Sequence, residues 1–329
     1  MQLLNVHRYS LTLAAASLLA GCGGSQPLVG APLSLNALNG PLDRSHLSSS
    51  DGDFIYVATT KALDFLTYPQ GKLVGSLPFP RLSSVCADPN SGSVFVMTTP
   101  VYEYAHGGTS ALEALNLPSG DSSPRGCSVD PTTDNLALIA TSSQPSFHPV
   151  VLVYPQAGGA PAVYALQDSA GASYTAYDDS GNLYVLVSQV NGHYAVALLP
   201  AGQSDFQFVK VPHLAEIVGD KIQWDGTYLS MLSGFGTNQS AVIYQLQIQG
   251  TSGMVAGSTT LQDGERGAGY WVQSGSVISL YYKPKAHGNW ALAAWPYPSG
   301  GSPTARYYGI TKGRKDKIYD VTVSVAPAR

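Results

Sequence analysis

Cysteine provides the most reactive side chains in this sequence, and there are three: Cys22, Cys86 and Cys127. Thiols can act as nucleophiles, bind metal or form disulfides. No CxxC-type cluster accompanies them, so their spacing does not match a metal site. Cys86 lies two residues before Asp88 and Cys127 three before Asp130. A disulfide between them and a pair of buried free thiols both fit. The one-residue offset argues for the thiols, because alternating strand side chains then point to opposite faces. His46, His106, His148, His193, His213 and His287 are scattered without HxH or HExxH pairing. No G-x-S-x-G elbow supports a serine hydrolase. Gly234-Phe235-Gly236 and Gly267-Ala268-Gly269 lack the third glycine and following helix of a dinucleotide fingerprint. No metal or cofactor is therefore expected. Asp178-Asp179 could serve as a catalytic or calcium pair, but a turn aspartate repeated along the chain explains it more simply. Aromatic residues crowd the last third, and Trp271, Tyr282, Trp290 and Trp295 are candidates for a ligand platform. The competing role for them is packing between sheets.

The environment of Cys22 is distinctive. His7 and Arg8 precede an apolar run from Leu11 to Ala20, and Leu19-Ala20-Gly21-Cys22 closes it. The run is shorter than the roughly 20 residues a transmembrane helix needs. It resembles the lipobox of bacterial lipoproteins, in which cleavage before the cysteine leaves a lipidated N-terminal residue. The resemblance implies a signal peptide over 1–21, lipidation of Cys22 and anchoring in a membrane. Each buried methylene would contribute about 0.8 kcal/mol to that anchoring. Gly23, in place of an inner-membrane-retaining Asp, favours the outer membrane or cell surface. Residues 22–44, rich in Gly, Pro, Ser and Asn, form a tether, and 45–329 are expected to form one domain.

Charge and composition narrow the functional classes. With 17 Lys+Arg against 21 Asp+Glu, the chain offers no nucleic-acid footprint. Gly313-Arg314-Lys315-Asp316-Lys317, the single basic cluster, reads as a solvated loop. The 35 Gly, 22 Pro and 20 Tyr describe tight turns joined by β-favouring segments.

The elements that must position these residues repeat. Asp51-Gly52-Asp53, Asp88 to Gly92, Asp130 to Asn135, Asp178 to Asn182, Asp225-Gly226 and Ser274-Gly275 each lead into an apolar strand, at intervals of about 45 residues. Between them a second signal recurs, in which a strand runs into Pro and Gly, as in Tyr68-Pro69-Gln70-Gly71 and Trp295-Pro296-Tyr297-Pro298. These signals predict an all-β fold: a six-bladed propeller of four-stranded antiparallel blades, each blade covering its neighbour. The first unit lacks an inner strand, whereas Ile318 to Val325 is an extra alternating strand at the other end. That C-terminal strand is expected to close the ring.

The repeat resembles propellers of the NHL and YVTN type. Gly126-Cys127-Ser128-Val129-Asp130-Pro131, Ile222-Gln223-Trp224-Asp225-Gly226 and the Trp295 to Thr304 segment are similar to uncharacterised bacterial propeller lipoproteins. The resemblance covers most of 45–325 and implies fold far more than function. Two functional expectations follow. The first is a monomeric, lipid-anchored, non-catalytic module that binds a protein or an envelope polymer. The alternative is a metal-dependent hydrolase or lactonase similar to the gluconolactonase-like propellers, which needs Asp, Glu or Asn oxygens converging over the central channel.

Overall fold

A computed structural model describes residues 52–80, 82–143, 148–214, 217, 219–233, 240–265, 269–281, 290–311 and 316–327. Cys22 and Tyr282, and the predicted signal peptide and tether, lie outside these residues. The described residues fall in one compact unit, Pro41–Arg329. None of their helices is long and apolar enough to cross a membrane.

Six four-stranded antiparallel sheets form the blades. Blade 1 contains β1 (Phe54–Thr59), β2 (Ala62–Thr67) and β3 (Leu73–Pro78), and blade 2 contains β4 (Val85–Ala87), β5 (Val94–Val96), β6 (Val101–Tyr104) and β7 (Ala111–Leu115). Blade 3 contains β8 (Asp121–Val129), β9 (Leu136–Ser142), β10 (His148–Tyr154) and β11 (Ala162–Ala165). Blade 4 is built from β12 (Ser169–Tyr177), β13 (Leu183–Gln189), β14 (Tyr194–Leu199) and β15 (Gln207–Val209). Blade 5 has β16 (Gly219–Trp224), β17 (Leu229–Ser233), β18 (Ala241–Gln249) and β19 (Ser252–Leu261), and blade 6 has β20 (Trp271–Gln273), β21 (Ser276–Tyr281), β22 (Ala291–Pro296) and β23 (Ala305–Tyr307). The last strand, β24 (Ile318–Ser324), returns to blade 1 as its inner strand. It pairs with β1 from Phe54↔Ser324 to Thr59↔Ile318, which is the closure expected from the sequence.

Burial explains why the ring is the stable form. The second strands carry apolar side chains on both faces, so β1, β5 and β17 are buried at every position. Such strands need cover on both sides, which a radial array supplies and a lone sheet cannot. The cores divide accordingly into six clusters, one at each junction between neighbouring blades. The junction of blades 6 and 1 contains Ile318, Val321 and Val323 of the closing strand, packed with Ile278, Leu280 and Leu292.

Each inner strand meets the second strand through an aspartate turn in blades 2 to 5. Asp88 accepts from the Asn90 amide N–H and the Ser91 hydroxyl. Asp130 accepts from the amide of Thr132 and the hydroxyls of Thr132 and Thr133. Asp178 is bonded by the amides of Ser180 and Asn182 and by the Tyr184 hydroxyl. In blade 6, Ser274 and Gly275 make the turn instead, both at positive φ, 48° and 73°, as a tight two-residue hairpin requires.

Candidate functional site

The inner strands β4, β8, β12, β16 and β20 end at the aspartate-turn face, where they enclose a recess of about 470 Å³. This volume lies within the range of small-molecule sites, about 300–1,000 Å³. Its walls include Ala87, Val129, Ala176, Ile222 and Val272, and its aromatic surfaces are Tyr177, Trp224 and Trp271. Asp179, Asp225, Gly226 and Tyr297 border the mouth, and Lys221 is the buried cation of the wall.

Lys221 sits in a buried polar knot. Its Nζ lies 2.6 Å from Asp320 Oδ1, with the two side chains 5% and 0% exposed, and it donates to the Val321 carbonyl at 3.1 Å. Asp320 Oδ2 accepts from the Ser84 hydroxyl at 2.6 Å and from the Val85 amide at 3.2 Å. One carboxylate thus links blades 1, 2 and 5. The ammonium also lies 5.4 Å from the Tyr174 ring centroid and 5.7 Å from that of Trp271. Removing two charges from water costs several kcal/mol per ion, so such a pair persists only when its lone pairs and protons are this fully engaged. The knot also needs a bare backbone beside it, because a Cβ on Gly269 would fall 1.7 Å from Asp320 Oδ1. Burial, with Asp320 and Asp220 adding to it, pushes the Tyr174 hydroxyl well above the usual tyrosine range, so it stays neutral.

The opposite wall is covalent. Cys86 and Cys127 form a disulfide with Cα atoms 5.7 Å apart, joining β4 to β8 and lining the recess. The offset that argued for two free thiols is absorbed by a bulge. Arg125 pairs with Ile139 and Ser128 with Ala137, so Gly126 and Cys127 together face one partner position. The extra residue resets the alternation of side chains. Gly126 adopts φ 47° there, and a Cβ would lie 2.0 Å from the Ser173 carbonyl oxygen, so glycine is required.

The remaining polar groups near the recess are largely engaged. The Gln223 amide donates to the Val272 carbonyl at 3.1 Å and accepts from the Val272 amide at 2.8 Å, joining blades 5 and 6. Asp225 is bonded by the Thr227 and Tyr228 amides and by the Tyr297 hydroxyl. Ser128 donates to Thr175, which donates to the Gly126 carbonyl. In contrast, the Nε1 atoms of Trp224 and Trp271 are buried and have no hydrogen-bond partner.

Among the described residues, no three His, Cys, Asp or Glu side chains converge as a metal site would require. The carboxylates the sequence offered are turn elements: Asp178 is buried in its turn, and Asp179 is exposed at the mouth. Of the proposed aromatic platform, Trp271 lies in the recess wall. Trp290 packs against the core between blades 6 and 1. Trp295 is fully buried between blades 5 and 6, its indole donating to the Gln262 carbonyl. Sequence reading missed Trp224, Lys221 and Asp320. Trp224 lies directly before the Asp225 turn, as Ala87, Val129 and Tyr177 lie directly before the aspartate turns of blades 2 to 4, and all four line the recess; this was the available signal.

No family model matches the sequence, and no curated protein matches it. Solved structures do. A chain of the nidogen/laminin complex is similar at TM-score 0.59 and 13% identity, over 84% of this chain and all of that one. A protein of unknown function from Bacteroides caccae is similar at 0.56 and 12% identity, over 83% of this chain and 99% of the other. TolB from Acinetobacter baumannii is similar at 0.56 and 11% identity, over 84% of this chain and 67% of that protein. At such identities the likeness concerns the propeller fold alone.

Proposed function

We propose that the protein is a lipoprotein propeller of NHL/YVTN-type repeats, anchored through Cys22 and a tether of residues 22–44. It acts as a non-catalytic binding module at the outer membrane or cell surface, engaging a protein or an envelope polymer. The observation carrying this reading is the recess at the aspartate-turn mouth. It is large enough for a ligand, framed by a disulfide and an ion-pair knot, and of its two lining carboxylates Asp225 is already bonded in its turn while Asp179 is exposed at the mouth. The Leu19-Ala20-Gly21-Cys22 motif supports the anchor.

Two measurements test it. Cys22→Ala should move the protein from the membrane pellet to the soluble fraction, and continued sedimentation with membranes would refute the lipid anchor. In capture from native envelope extract, the wild-type chain should retain a component that Ser128→Phe, which fills the recess, releases. Leu112→Ser, on the exposed outer strand β7, should retain it. Equal retention by all three would refute binding at the recess.

A further inference from the structure

We propose that the mouth of the recess takes an alkylammonium chain, its protonated amine donating to Asp179 and its stem lying against Tyr177 and Trp224. This rests on the binding-module reading above and specifies the ligand class.

Charge at the mouth gives the sign of the ligand. The inner turns of blades 2 to 6, residues 88–93, 130–135, 178–182, 225–228 and 274–275, carry six aspartates and no Lys, Arg or His. Asp88, Asp130, Asp178 and Asp225 are bonded within their turns, and Asp134 accepts from the Asn90 side-chain amide. Asp179 differs: it is exposed, borders the recess and has no hydrogen-bond or ion-pair partner among the described residues. Lys221 is the one basic residue of the wall, and Asp320 neutralises it. It also lies deeper, since Trp224 is three residues farther along β16, about 10 Å at the rise of a strand. An anion therefore gains nothing at the mouth, whereas a cation meets a carboxylate without displacing an existing partner.

The wall gives the rest of the ligand. Tyr177 and Trp224 lie directly before the turns that carry Asp179 and Asp225, so aromatic rings adjoin the carboxylates. Trp224 and Trp271 are half-buried with their Nε1 atoms sealed, so the surface they offer the recess is ring carbon rather than N–H. A ring face attracts a cation, and the same apolar surface covers the methylenes behind it. The protein already uses this pairing in its interior, where the Lys221 ammonium lies 5.4 Å and 5.7 Å from the ring centroids of Tyr174 and Trp271. A bare divalent ion is poorly matched, because it needs several oxygens and, among the described residues, no three His, Cys, Asp or Glu side chains converge. An organic amine needs one carboxylate and brings its own apolar stem.

The test is calorimetric titration of the full-length protein at low ionic strength with 1,5-diaminopentane, spermidine, a capped lysine, its Nε-acetyl counterpart and glutarate. The two amines and the capped lysine should bind saturably, and the acetylated lysine and glutarate should not. Tighter binding of the capped lysine identifies a partner protein's side chain as the source, and tighter binding of the amines identifies a free polyamine; either order agrees with the proposal. Asp179→Asn should weaken binding about fivefold. Asp205→Asn removes the same charge from an exposed outer turn that does not line the recess, and should leave binding unchanged. Trp224→Leu keeps apolar bulk but removes the ring face, and about a threefold loss is expected. If that variant unfolds, the two aspartate variants decide. No saturable binding of amine or capped lysine up to about 10 mM would overturn the proposal, as would equal binding of the acetylated lysine or equal affinities of the two aspartate variants. If the cations fail while Ser128→Phe still releases the captured envelope component, the cation assignment falls and the binding-module reading stands.

Discussion

The two sides of the central channel are held together by different chemistry. Between blades 2 and 3 the Cys86–Cys127 bond crosses the junction, and Asn90 adds contacts to the Pro131 carbonyl and Asp134. Across blades 5, 6 and 1 the links are polar: the Gln223 amide on the Val272 backbone, and Lys221 on Asp320. A covalent link acts largely by restricting the unfolded chain, so losing it leaves no unpaired group in the fold. A buried ion pair is conditional. Each member is tolerable only while the other is present, so its removal costs more than its formation contributes.

This contrast can be broken in steps. Deleting residues 316–329 removes β24 together with Asp320, and should abolish the folded domain in one cooperative transition by circular dichroism. Survival of five folded blades with a loose end would show that closure is local. Alkaline pH should undo both sides together. Burial pushes Tyr104 and Tyr154, on the disulfide side, up to about 12, and Tyr174 and Tyr270, on the polar side, well above the ordinary 10.0. With raised folded-state values, the neutral phenols stabilise the fold fully below 10.0, and that contribution is lost as pH rises toward 12. Phenolate absorbance and loss of ellipticity should therefore rise together; phenolate appearing well before unfolding would contradict the burial.

Smaller steps separate the two sides. Lys221→Met leaves the Asp320 carboxylate unpaired and should cost about 3–5 kcal/mol in urea unfolding, most of it recovered by adding Asp320→Leu. A double variant no better than the single one would show that the remaining groups, Ser84 and the Val85 amide, carry the knot. Replacing Cys86 and Cys127 with serine opens a loop of sequence separation 41 and should cost about 3–4 kcal/mol, with the native recess retained. Tyr297→Phe removes one bond to Asp225 between blades 6 and 5, and about 1–2 kcal/mol is expected.

How much of this was legible in the chain follows from the range of each interaction. The aspartate turns and their strands are local: Asp, Asn and Gly at fixed offsets bond their own backbone, so Asp130 or Asp178 announces its turn without reference to the rest of the fold. The closing strand was legible from an imbalance, an unpaired strand at one end and a missing one at the other. The channel was not. Asp320 sits between Tyr319 and Val321 in an alternating strand and reads as solvent-facing, whereas its partner lies about a hundred residues away on another blade. The Cys127 register depended on a bulge that only the pairing with β9 exposes. Trp295 and Trp271 look equivalent as side chains, yet one is sealed between sheets and the other lines the recess, because strand position within the blade decides.

The return of β24 to blade 1 has a temporal consequence. During synthesis the first blade cannot acquire its innermost strand until Ile318–Ser324 has emerged, so the ring and its cooperative core cannot form before the last strand is available. A chain that postpones its final lock in this way stays threadable until late. That property would leave prematurely truncated products as targets for proteolysis.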